Sequence, residues 1–163
     1  MWNDFHMVLS SLFGAVTRIP NKIAPDSMWN ALTSDRAQRE MLEALIDLNA
    51  INYNIPSKLK SEMKWVLKTA RSIEDTRNDL LHAPVFKESS TNIFAWHHLG
   101  NKRARKLNGK NLVHEARFFY DTVVVLRDYT EELIVIFNRQ RIQGATLPKR
   151  PSLPNRGATK RLP

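Results

Sequence analysis

The chain has 163 residues, 42% hydrophobic, 25% charged and 9% aromatic, enough for one hydrophobic core, which excludes a wholly disordered polypeptide. It contains no cysteine, so disulfide scaffolds, thiolate zinc sites and cysteine nucleophiles are excluded, and a reducing compartment fits. Lys and Arg number 25 against 16 Asp and Glu, leaving +9. A field of that sign gathers polyanions, RNA or DNA foremost; the other reading is a solubilising surface.

No stretch approaches the roughly 20 apolar residues of a membrane span. The N-terminus carries Asp4 where a secretory signal would carry Lys or Arg, and the apolar stretch 7–16 is broken by Ser10 and Ser11. A soluble, cytoplasmic protein without a signal peptide is expected.

The pattern is helical nearly throughout. From about Asp4 to Ile19, Phe5, Val8, Leu9, Leu12, Phe13 and Val16 recur at three- and four-residue spacings, an amphipathic helix. Pro20 and Pro25 end it and open a loop. Ser34 or Asp35 caps a second helix reaching about Asn52, with the stripe Ala37, Met41, Ala44, Leu45 and Leu48. A third begins near Pro56 or Ser57, buries Leu59, Met63, Val66, Leu67, Ala70, Ile73 and Leu80, and ends by Ala83, before Pro84.

Residues 85–107 show no sustained helical period. Val85, Phe86, Ile93, Phe94 and Trp96 around a polar centre suggest a loop or small hairpin. A long last helix starts near 109–111, with Leu112, Ala116, Phe119, Val123, Leu126, Leu133 and Phe137 as its stripe. Its apolar runs 123–126 and 133–137 face several directions, so it is either central to the bundle or, with Phe118 and Tyr120, an oligomer contact. No internal repeat is evident. The expected architecture is all-α: a bundle of about four long helices over 1–142, with an insert before the last, then a disordered, basic, proline-rich tail over 143–163.

The chemistry concentrates at the end of the third helix, in Glu74-Asp75-Thr76-Arg77-Asn78-Asp79-Leu80-Leu81-His82. Glu74, Asn78 and His82, four residues apart, line one face; Arg77 starts about 100° away but is long enough to fold back. Guanidinium, amide and imidazole at a helix end suit a phosphodiester: the Arg neutralises phosphate oxygens, the imidazole moves a proton and the amide orients. The alternative is a structural Arg–Asn–His network capping the helix.

Arg77-Asn78-(three residues)-His82 resembles the signature of the HEPN superfamily, an arginine with a polar residue after it and a histidine four to six residues on, near the end of a core helix. The architectural likeness covers roughly residues 1–140. The resemblance implies a metal-independent endoribonuclease, or a member that keeps the fold without activity, and a homodimer whose two motifs share one cleft. RNA is then the substrate, Arg77 and His82 are catalytic with Asn78 orienting, and an antitoxin or regulatory protein is a possible partner, in toxin–antitoxin, phage-defence or RNA-processing systems. Some members carry a tyrosine two residues after the histidine, modified by a partner nucleotidyltransferase; here that position is Pro84, which puts such control in doubt.

Lys102-Arg103-Ala104-Arg105-Lys106 follows Trp96-His97-His98. Phosphates on Lys102, Arg103, Arg105 and Lys106 with a base stacked on Trp96 would hold single-stranded RNA; a solvated loop is the alternative. His6 and His114 sit within helical patterns as structural histidines. No His-x-x-x-His or Glu-x-x-His spacing occurs, so neither metal nor cofactor is expected. The rival from another class is a non-catalytic RNA-binding or protein-interaction module on the same bundle.

Overall fold

Local signals set the helix starts in the computed structural model, which describes residues 1–21, 23–52, 55–82, 85–87, 93–95, 102–139 and 146–156, the side chains of 50–52, 85–87, 93–95, 103 and 104 excepted. Helix α1 is Trp2–Thr17, α2 Ile23–Asn30, α3 Asp35–Asn52, α4 Ser57–His82, α5 Lys102–Lys106 and α6 Leu112–Arg139. Ser34 accepts the Ala37 amide on its hydroxyl at 3.1 Å and the Gln38 amide on its carbonyl, so it caps α3. Asn111 does the same for α6, its side chain accepting from Val113 at 3.0 Å. Both satisfy donors that a helix start leaves orphaned. Gly109 precedes α6 at φ 71, the left-handed region that a side chain would strain.

The fold is all-α, as the periodicity indicated, with a small hairpin where the helical period lapses. Strand β1 (Val85–Lys87) pairs antiparallel with β2 (Ile93–Ala95), with Phe86 opposite Phe94. Two short helices lie where none was expected. Helix α2 occupies the stretch read as a loop after Pro20. Pro25 falls in its first turn, where the missing N–H is no loss, and the Asn21 side chain accepts the Ile23 amide at 2.9 Å. Helix α5 is the basic cluster itself.

The chain divides into two units, Met1–Ala70 with Val123–Ser152, and Arg71–Thr122 with Leu153–Pro163, a division different from the expected boundary at 142. In the first unit α1 buries Phe5, Leu9, Leu12, Phe13 and Val16, α4 buries Leu59, Met63, Val66 and Leu67, and α6 buries Val123, Leu126, Leu133 and Phe137. Leu42 and Ile46 of α3 are fully buried, whereas Leu48 and Ala44 of the expected stripe are exposed. The buried row of α3 runs Arg39, Leu42, Ile46, Asn49. Its polar members are matched by tertiary partners: Asn49 donates to the Val16 carbonyl at 2.7 Å, and Arg39 reaches His6 at 3.5 Å and lies over the Trp2 ring.

In the second unit α6 contributes buried Leu112, Glu115 and Thr122, while Ala116, expected on the buried stripe, is exposed. Residues 146–156 carry no helix or strand, as expected past Gln143. Their arginines nevertheless make specific contacts with the helices, which the composition did not show.

Candidate active site and nucleic-acid interface

Along α4 the inward row changes character. After Leu59, Met63, Val66 and Ala70 it continues through Ile73, Thr76 and Asp79, all buried, so apolar side chains give way to polar ones over the last three turns. Beside this row Arg77 and Asn78 are half-buried, and His82, the last residue of the helix, is exposed. Arg77 is engaged within the chain. At about 100° per residue, Asn78 and His82 share a face about 40° wide, while Arg77 starts about 140° from His82.

The structure brings the basic cluster to this helix end. The Lys106 ammonium lies 3.7 Å from the Asp79 carboxylate, whose side chain is only 10% exposed, and a carboxylate that buried requires a cation nearby. Lys102 and Arg105 of α5 are exposed. The Arg103 side chain and Trp96 lie outside the described residues, as does Pro84.

Sequence reasoning missed the residues that neutralise α6's buried acid. Glu115, 2% exposed, accepts from Arg156 Nη2 at 2.6 Å and from Nε at 3.1 Å. The same guanidinium lies 3.4 Å from the Thr76 hydroxyl, one residue before Arg77, and 5.2 Å from the Phe118 ring centroid. Phe118 is thus covered within its own chain. His114, expected as a structural histidine, is exposed and lines a cleft of about 260 Å³ with Arg117, Asp121 and Arg156.

A matching arrangement occurs in the first unit. Arg150 donates through Nε and Nη2 to the two oxygens of Glu62, both at 2.7 Å, with its guanidinium 5.2 Å from the Trp65 ring. Tyr129 donates to the same carboxylate at 2.9 Å and stands edge-on to Trp65. The hydrogen bonds from Arg150 hold the Glu62 carboxyl below its ordinary range, while burial and the bond to Glu62 push the Tyr129 hydroxyl far up. The signal for both arrangements was in the sequence, as an acid and an aromatic three residues apart on each helix.

Elsewhere in this unit His6 is a satisfied structural histidine, Nδ1 3.2 Å from Gln38 and Nε2 3.7 Å from Asp35. It lines a cleft of about 430 Å³ with Ser10, Asp26, Trp29 and Asp35. A further cleft of about 570 Å³ is lined by Asp128, Glu131, Glu132, Val135, Ile136, Arg139 and Thr146. None of these three clefts is lined by Arg77, Asn78 or His82. Among the described residues no His, Asp and Glu group could hold a metal ion, and no helix is long and apolar enough to cross a membrane.

Comparison with family models, with curated proteins and with solved structures gives no match.

Proposed function

We propose that the chain is a metal-independent endoribonuclease of the HEPN type, acting on RNA in the cytoplasm as a homodimer. The observation that carries this reading is the disposition of the α4 terminus, where His82 is exposed on the last turn, Arg77 and Asn78 are half-buried beside it, and Lys106 is drawn to Asp79. An imidazole for proton transfer is reachable by substrate there, and cations stand next to it.

The 2′-hydroxyl of a ribonucleotide gives its proton to one His82 as its oxygen attacks the adjacent phosphorus. The P–O5′ bond breaks, and the departing 5′-oxygen takes a proton from a second imidazole. Arg77 stabilises the charge that builds on the non-bridging oxygens, and Asn78 orients phosphate or side chain. The products are a 2′,3′-cyclic phosphate and a 5′-hydroxyl; DNA lacks the nucleophile. Two features of the chemistry call for a twin subunit. One chain has one histidine at this helix end, and its Arg77 starts on a different face of α4 from His82.

The test is incubation of the purified chain with RNA in EDTA. Cleavage that survives the chelator, leaves DNA intact and disappears in His82→Ala supports the reading; cleavage unaffected by that substitution ends it. The second reading, a non-catalytic RNA-binding or interaction module, is favoured by the engagement of Arg77 within the chain. It predicts salt-sensitive RNA binding without cleavage.

A further inference from the structure

The arm after α6 contains one short sequence twice: Leu147-Pro148-Lys149-Arg150 and, six residues on, Leu153-Pro154-Asn155-Arg156. The repeat, not evident from composition or periodicity, is read out by the structure. Each arginine meets an acid and a ring three residues apart on a helix, Arg150 on Glu62 and Trp65 and Arg156 on Glu115 and Phe118, with both guanidinium-to-centroid distances 5.2 Å. One socket lies in each unit. The chemistry selects arginine over lysine, since only a planar guanidinium can lie over a ring while its edge donates two bonds to a carboxylate. Proline before each x-Arg pair fixes φ and lowers the entropy lost when the segment seats.

We propose that the two sockets form a recognition surface for Leu-Pro-x-Arg segments, and that the partner it fits is the same arm on a second copy of this chain. The contacts in the structure are made within one chain. An arm exchanged between two copies would make identical contacts, so exchange costs only the association entropy, the condition under which identical elements swap. Six residues, 140–145, join α6 to the arm; fully extended they reach about 20 Å, and short connections of this kind favour exchange over slack. Because side chains rather than a backbone ladder hold the arm, it can leave without breaking secondary structure. This inference is independent of the nuclease reading.

Two full-length variants test it, Arg150→Ala/Arg156→Ala with vacant sockets and Glu62→Gln/Glu115→Gln with weakened sockets and an intact arm. A fluorescent peptide of residues 146–156 should bind the first variant saturably. Binding should be at least about tenfold weaker to the parent, whose tethered arm competes at high effective concentration, and similarly weakened when both peptide arginines are lysine. On mixing the variants, trypsin cleavage after Lys149 and Arg156 of the intact arm should slow several-fold, whereas adding parent protein should not slow it. If circular dichroism shows that the alanine variant does not fold, Arg150→Lys/Arg156→Lys replaces it. A folded variant that ignores the peptide, or a lysine peptide that binds equally well, overturns the sockets. Peptide binding without protection on mixing overturns the second copy as partner.

Discussion

Glu115 and Arg156, 41 residues apart, form a carboxylate–guanidinium pair in which the acid is 2% exposed and the base 47% exposed. That asymmetry decides which partner matters. Removing the arginine leaves an uncompensated charge inside the second unit, whereas Arg150 leaves behind a Glu62 that also accepts from Tyr129. Arg156→Ala should therefore lower stability by about 1–3 kcal/mol, below the full cost for a buried pair because Arg156 is half in solvent, and Arg150→Ala by under about 1 kcal/mol. Urea unfolding of the two variants checks the order.

The Glu62 contact should be pH-dependent with a definite sign. Its folded-state carboxyl is held below the ordinary value, first by hydrogen bonds from Arg150 and then by Tyr129 against an opposing desolvation. A depressed carboxyl contributes stability above its unfolded pKa of about 4.3, lost as pH falls through the folded value. Thermal unfolding should separate the parent from Glu62→Gln at pH 7, and the two curves should converge in acid below about pH 4. Convergence on the alkaline side would contradict the assignment.

For the proposed nuclease, His82→Ala should leave the fold unchanged within about 0.5 kcal/mol, because the side chain is exposed, while reducing RNA cleavage by about 10²–10⁴-fold. Arg77→Ala should reduce cleavage by about 10²–10³-fold and also lower the unfolding midpoint, since Arg77 is half-buried and engaged. Cleavage rates and melting curves on the same preparations separate the two effects.

The orientation of α3 is testable by two leucines. Leu42→Ala removes a fully buried side chain and should cost about 2–5 kcal/mol. Leu48→Ala removes one that is 52% exposed and should fall within about 0.5 kcal/mol. Equal losses would mean that the helix is turned the other way.

How much could be read in advance differs between helices for one reason. In α1 and α4 the inward row is apolar nearly to the end, so spacing alone picked Phe5, Leu9, Leu59 and Met63. In α3 the inward row includes Arg39 and Asn49, and in α6 it includes Glu115. A periodicity argument assigns such residues to solvent and so rotates the stripe towards Leu48 or Ala116. The candidate motif was legible because Arg77, Asn78 and His82 are adjacent on one helix; the pairing of Asp79 with Lys106 was not, because it depends on where α5 lies.

The sequence by itself determined the all-helical class, the starts of α3 and α6, and the position of the Arg77–His82 motif at a helix end. These follow from caps, prolines and apolar period, which act over four residues or fewer. Only the tertiary structure decided that Arg39, Asn49 and Glu115 face inward, and that the proline-rich arm seats its arginines on Glu62 and Glu115. A buried polar group is tolerable only when a partner meets it, and each of these partners is supplied from a distant part of the chain.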